Sequence, residues 1–174
     1  MSTASSVDAT QYYANRQHTL SFVETIERDM RNLGSGVDPV DPMIISYQWD
    51  ATSKIFEFVT LSDTTEYSLT AKVKYVVTPV DSVADSDESH YQVSRWIMSG
   101  GAYSQDGGSA PTLLNIEISL LDATGTQVAA GSIEDTRIID VTIQATSPLG
   151  DENIVGVSTW QSRYRPTNLG LKDL

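Results

Sequence analysis

The sequence predicts an α+β fold in which an N-terminal amphipathic helix packs on an antiparallel β-sheet. Three observations predict it. Leu20, Val23, Ile26, Met30 and Leu33 recur at spacings of three and four, which is one stripe of a helix. After Pro42 the apolar period drops to two. The alternating segments then follow one another with no helical pattern between them, which indicates antiparallel meanders rather than strand–helix–strand crossovers. No repeat or linker divides the 174 residues, so residues 1–174 read as one domain, with the helix over 8–34 and the β-sheet region over 43–169.

Taken in order, Asp8 is a candidate N-cap for the helix. Glu24–Arg28 and Glu27–Arg31 are i,i+4 pairs in the favourable orientation, each worth ~0.2–0.5 kcal/mol. Gly34 and Gly36 stop the helix, and Pro39 and Pro42 prevent its continuation. Residues 44–49 and 55–61 form a strand pair around a turn at Asp50-Ala51-Thr52-Ser53. Tyr67, Leu69, Ala71, Val73 and Tyr75 alternate with Ser68, Thr70, Lys72 and Lys74, a strand with one wet face. Tyr91, Val93 and residues 96–98 mark another strand, and residues 99–109, with four glycines, read as a long loop. Leu114, Ile116, Ile118 and Leu120 alternate, and Asp122-Ala123-Thr124-Gly125 turns the chain into residues 127–130. Residues 139–145 and 154–164 supply the last two strands. The helix is expected to cover the buried face of the sheet.

Composition excludes several classes of function. The formal charge of −12 argues against nucleic acid, which needs clustered Lys and Arg, and against an anionic membrane surface. The absence of cysteine excludes disulfides, thiolate-ligated metals and thiol catalysis. No stretch reaches the ~20 apolar residues of a membrane span, and Met1 is followed by Ser-Thr-Ala-Ser-Ser with no leader-like pattern. The chain as it stands is therefore expected to be soluble.

No catalytic machinery is recognisable, and the chain is not expected to be an enzyme. His18 and His90 are the only histidines and no G-x-S-x-G elbow occurs, so His18 reads as a helix-surface residue and His90 as a loop or strand-edge residue. Asp81, Asp85, Asp87 and Glu88 offer hard oxygen ligands that suit calcium, but their spacing is not that of an EF-hand, and a solvated acidic loop is the plainer reading. Asp38 and Asp41 are a second such pair. No cofactor is expected otherwise. Trp49, Phe56, Phe58, Trp96 and Trp160 suit a core better than a ligand groove. Two alternatives stay open at this point. One is a β-domain binding a carbohydrate or another ligand through Trp49, Trp96 or Trp160, and the other, weaker, is a carboxylate-dependent hydrolase. The informative feature is the helix: Tyr12, Tyr13 and Arg16 precede its apolar stripe and are candidates for contact with a partner.

Four segments carry a family resemblance. The helix closes with Ile26-Glu27-Arg28-Asp29-Met30-Arg31-Asn32-Leu33-Gly34; a strand ends in Leu121-Asp122-Ala123-Thr124-Gly125; Ile138-Ile139-Asp140-Val141-Thr142-Ile143 forms another; and the chain leaves through Arg165-Pro166-Thr167-Asn168-Leu169. In this order they resemble type IV pilin-like minor subunits, above all the PilW-like minor pilins and the minor pseudopilin J of type II secretion. The family's prepilin cleavage site and apolar half-helix are not in this sequence. The resemblance implies a structural subunit that takes part in assembly or tip formation of a type IV pilus or secretion pseudopilus. It implies partners among other pilin or pseudopilin subunits, reached through the N-terminal helix. It also implies an inner-membrane anchor in the segment absent here, with the folded domain in the periplasm or at the cell surface.

Overall fold

The computed structural model describes residues 3–38, 41–61, 70–80, 90–99, 101–106, 112–148 and 155–171; within the first helix, side chains are described at Ala14 and from Arg16 onward. The chain opens with helix α1 (Thr3–Asn32). It begins five residues before Asp8, so Asp8 lies inside the helix rather than capping it. The buried face is Thr19, Phe22, Ile26, Asp29 and Met30, continued by Leu33, and Leu20 is 40% exposed. The core-facing stripe is thus rotated from the expected one. Phe22 replaces Leu20, Val23 is half-buried at the edge, and the ring of Phe22 meets Tyr75 edge-on at 5.8 Å. Burying each such large side chain is worth ~1.5–3 kcal/mol.

Gly34 ends α1 with φ +76°, and its N–H donates to the carbonyl of Val59 at 2.7 Å. The chain then enters β1 (Ile44–Trp49), which pairs with β2 (Lys54–Leu61). The connecting turn is held by Asp50, whose Oδ1 accepts from the N–H groups of Thr52 and Ser53 and from the Thr52 hydroxyl. β3 (Thr70–Val80) pairs with β2 and with β4 (His90–Ser99). Pro79 does not interrupt β3, because β2 ends its pairing at Val77 and asks nothing of the proline nitrogen. β5 (Ala102–Gln105) folds straight back on β4 through Gly101, at φ +87°, so the expected long loop over residues 99–109 is in its first half a hairpin. β6 (Thr112–Leu113) adds to β4, giving a six-stranded antiparallel sheet.

The remaining strands, β7 (Asn115–Leu121), β8 (Ile138–Pro148) and β9 (Val155–Tyr164), form a separate three-stranded antiparallel sheet. Between β7 and β8 lies a turn built like the first. Asp122 Oδ1 accepts from the N–H groups of Thr124 and Thr126 and from the Thr124 hydroxyl, and Gly125 takes φ +87°. Of residues 127–130, into which this turn leads, Gln127 makes a single bridge to Leu121. After β9 a single helical turn, α2 (Thr167–Gly170), buries Leu169 and sends Asn168 Nδ2 to the carbonyl of Leu33.

The expected α+β class is corrected by this architecture. Nine strands in two sheets and one long helix, among the described residues, make a β-rich fold and not a helix laid on one pilin-like sheet. Phe56, Phe58 and Tyr75 of the first sheet and Ile116, Ile118, Ile139 and Ile143 of the second share one core with Phe22, Ile26, Met30 and Leu33 of α1. The helix is therefore one wall of a core that the two sheets close. Alternation in sequence tells which face of a strand is buried but not which sheet the strand joins, and this is why one sheet was expected.

Candidate functional site

Among the described residues, three of the places where charged or aromatic groups meet bear on function. The first is a buried clamp between α1 and the six-stranded sheet. Asp29 is 2% exposed and Arg95, on β4, 7%. Arg95 Nε donates to Asp29 Oδ2 at 2.7 Å and Nη2 to Oδ1 at 3.0 Å, a two-point contact. The Tyr75 hydroxyl donates to the same Oδ2, and Arg95 Nη1 donates to Asp106 Oδ2 at 2.7 Å. The Asp106 N–H returns a bond to the Arg95 carbonyl. Burial and the Asp29 carboxylate push the Tyr75 hydroxyl well above its ordinary range, and hydrogen bonding to Asp29 raises Arg95 against the opposing effect of its own burial. Carboxylate, phenol and guanidinium are sealed in the core, so the arrangement holds elements in place.

The second place is a groove of about 450 Å³ between the last turns of α1 and the end of β9, lined by Glu27, Arg31 and residues 162–167. It gathers three arginines in a chain of charge −12. Arg31 pairs with Glu27, and Arg163 binds Asp140 through Nε and Nη2, each at 2.7 Å. The third place is a groove of about 590 Å³ that Asp38 and Asp41 line together with Lys72, Val59 and Met98 of the first sheet.

The tryptophans do not share a surface. Trp49 stacks on Tyr47 against the core and sends Nε1 to Glu117 at 2.9 Å, and Trp160 packs on the core from the second sheet. Trp96 lies on the other face of the first sheet, in one cross-strand row with Lys74 and Glu57, and its Nε1 donates to Ser94. These three do not form the concave face with two or more exposed tryptophans that would favour a carbohydrate site.

Asp81, Asp85, Asp87 and Glu88 lie outside the described residues, and among the described residues no group of three or more His, Asp or Glu side chains could hold a metal ion. His18 is exposed on α1, and His90 opens β4 opposite Val80. Tyr12 and Tyr13 fall within the backbone of α1, with side chains outside the described set, whereas Arg16 is exposed. Among the described residues no helix is long and apolar enough to cross a membrane. The clamp was missed in the sequence although a signal was there. Arg95 occupies the inward phase of a strand whose neighbours in that phase are Val93 and Ile97, and a charge in that position implies a buried partner. No protein-family model, curated protein or solved structure matches the chain.

Proposed function

We propose that the chain is a structural subunit, assembled through the N-terminal half of α1 into a membrane-anchored filament of the minor-pilin or pseudopilin kind. The observation that carries this reading is a change of environment along one continuous helix. From Thr19 onward α1 turns a face into the core, whereas Arg16, Gln17 and His18 are exposed and the helical backbone runs back to Thr3. A helix that continues beyond its own core has a face to offer other helices. The sequence resemblance supplies the kind of assembly; the fold class lends it no weight. In this reading Tyr12, Tyr13 and Arg16 meet neighbouring subunits. A preceding apolar segment anchors the protein in the inner membrane, and the sheets stand in the periplasm or at the cell surface.

The 174 residues contain no cysteine, so a thiol introduced among them is the only one they carry. The full-length chain carrying Arg16→Cys is made in its own cells, labelled at that thiol with a maleimide–benzophenone and irradiated, so that the ketone inserts into a C–H bond of whatever lies beside it. Adducts with other envelope subunits are expected at position 16, and none at Gln127→Cys on the exposed turn before β8. Equal adducts at both positions, or none at position 16, would overturn the reading.

A further inference from the structure

We infer that β9 is an open edge at which a second copy of this chain adds its own β9, antiparallel about a two-fold axis, to make one continuous six-stranded sheet. An edge strand presents unpaired N–H and C=O groups, and folded proteins shorten, bend or cover such edges. In the first sheet, the β1 edge has a break of register between Ile44 and Ser46, and the β5 edge is four residues long. In the second sheet, β7 is covered. Its outward carbonyls at Ile116, Ile118 and Leu120 accept from Lys54 Nζ at 3.2 Å, Tyr47 Oη at 2.7 Å and the Val128 N–H at 2.9 Å.

Among the described residues, β9 shows none of these devices. It is ten residues long, its pairing with β8 runs without a register break from Val155 to Tyr164, and its sequence contains no proline, no lysine and one charge, Arg163. Because Ile116, Ile118 and Leu120 turn their backbones away from β8, the alternation of an antiparallel ladder carries across β8 to β9. It turns the N–H and C=O groups of Val155, Val157, Thr159, Gln161 and Arg163 outward. Among the described residues none bonds to them. Val157, at 59% exposure, is the most exposed large apolar side chain of the described residues.

A second copy fits this row with every outward group paired and no like charges opposed. Centred on Thr159, an antiparallel copy places Thr159 opposite its own mate, Val157 opposite Gln161 and Val155 opposite Arg163. All five outward residues then pair, and Arg163 never meets Arg163. Its guanidinium stays on Asp140 of its own subunit. Such an interface is isologous and closed, so it stops at two copies rather than growing into a fibre.

The test uses the purified chain, with no membrane or neighbouring subunit present, so it stands or falls apart from the helix-mediated assembly proposed above. Sedimentation over a concentration series is expected to show a monomer–dimer equilibrium. Thr159→Lys sets two ammonium groups against each other at the axis and is expected to weaken it at least tenfold. Thr159→Pro removes an outward N–H and is expected to do the same; circular dichroism melts check that both variants are folded. Thr159→Cys is expected to form a disulfide-linked dimer on mild oxidation, and Gln127→Cys is not. A chain that stays monomeric at hundreds of micromolar, or a folded Thr159→Lys variant that dimerises as well as the parent, overturns the inference.

Discussion

Asp29 on α1 and Arg95 on β4 are joined at two points inside the core, 2.7 and 3.0 Å apart, with the hydroxyl of Tyr75 on the same carboxylate. The pair ties the helix to the middle of the six-stranded sheet at a fixed rotation and height. Removing one partner leaves the other charged and buried, which costs about 3–5 kcal/mol. Asp29→Asn and Arg95→Met are each expected to lose stability on that scale in guanidinium denaturation, seen as a lower midpoint at unchanged slope. The combined replacement Asp29→Leu, Arg95→Met and Tyr75→Phe leaves no orphaned polar group among the three and is expected to recover most of the loss. A triple variant as unstable as the sum of the single ones would show that the network contributes more than mutual satisfaction.

Gly34 is held by two independent constraints. Its φ of +76° costs a residue with a Cβ about 1–2 kcal/mol. A Cβ there would also stand 2.5 Å from Met43 Sδ and 3.1 Å from Asn168 Cβ, where the helix end, β1 and α2 converge. Gly125 shares the backbone constraint, at φ +87°, with open space around it. Gly34→Ala is therefore expected to lower the melting temperature clearly more than Gly125→Ala. Equal losses would mean that Met43 yields without cost.

The two Asp-Ala-Thr turns give the protein part of its acid sensitivity. Hydrogen bonds from the Thr52 hydroxyl, then from the backbone N–H groups of Thr52 and Ser53, hold the Asp50 carboxyl down to about 2. Asp122 is lowered by the Thr124 hydroxyl first, then by the N–H of Thr126. A depressed carboxyl binds its proton more weakly in the folded chain than in the unfolded one, whose value is ~3.9. The stabilisation is thus fully present above that unfolded value and is lost as pH falls through the folded one. Asp50→Ala is expected to flatten the decline of stability between about pH 4 and pH 2 while lowering stability at neutral pH. An unchanged acid limb would remove Asp50 from this account.

What could be read in advance divides along physical lines. The hairpin from Ile44 to Leu61 was legible because alternation and turn chemistry agree over a short span, and the strands through Val73, Ile118 and Val141 were legible for the same reason. The partition into two sheets was not, because Ile118 and Phe56 show the same apolar phase whether they lie side by side or face to face. The rotation of α1 was misjudged by about one position. Apolarity favoured Leu20, whereas the geometry of Asp29, which must face Arg95, selects the face that also carries Phe22 and Ile26. The open edge at β9 depends on what lies beside a strand, and no local pattern records that.

That rotation leads to the sharpest division along the helix. Phe22 is 8% exposed and rests edge-on against Tyr75, while Leu20, two residues earlier, is 40% exposed. A carboxyl group at position 22 is buried without a partner, and its cost, added to the lost apolar contact, is comparable with the ~5–15 kcal/mol margin of a small domain. At position 20 the same group remains in water, and a surface substitution of this kind changes stability by about 0.5 kcal/mol or less. Phe22→Asp is therefore expected to yield an unfolded or insoluble chain, and Leu20→Asp one that melts within a few degrees of the parent. Val23→Asp, on the half-buried margin, should fall between them. If Leu20→Asp unfolded the domain and Phe22→Asp did not, the helix would have to be turned to the face that apolar spacing alone suggests, and the Asp29–Arg95 clamp could not form.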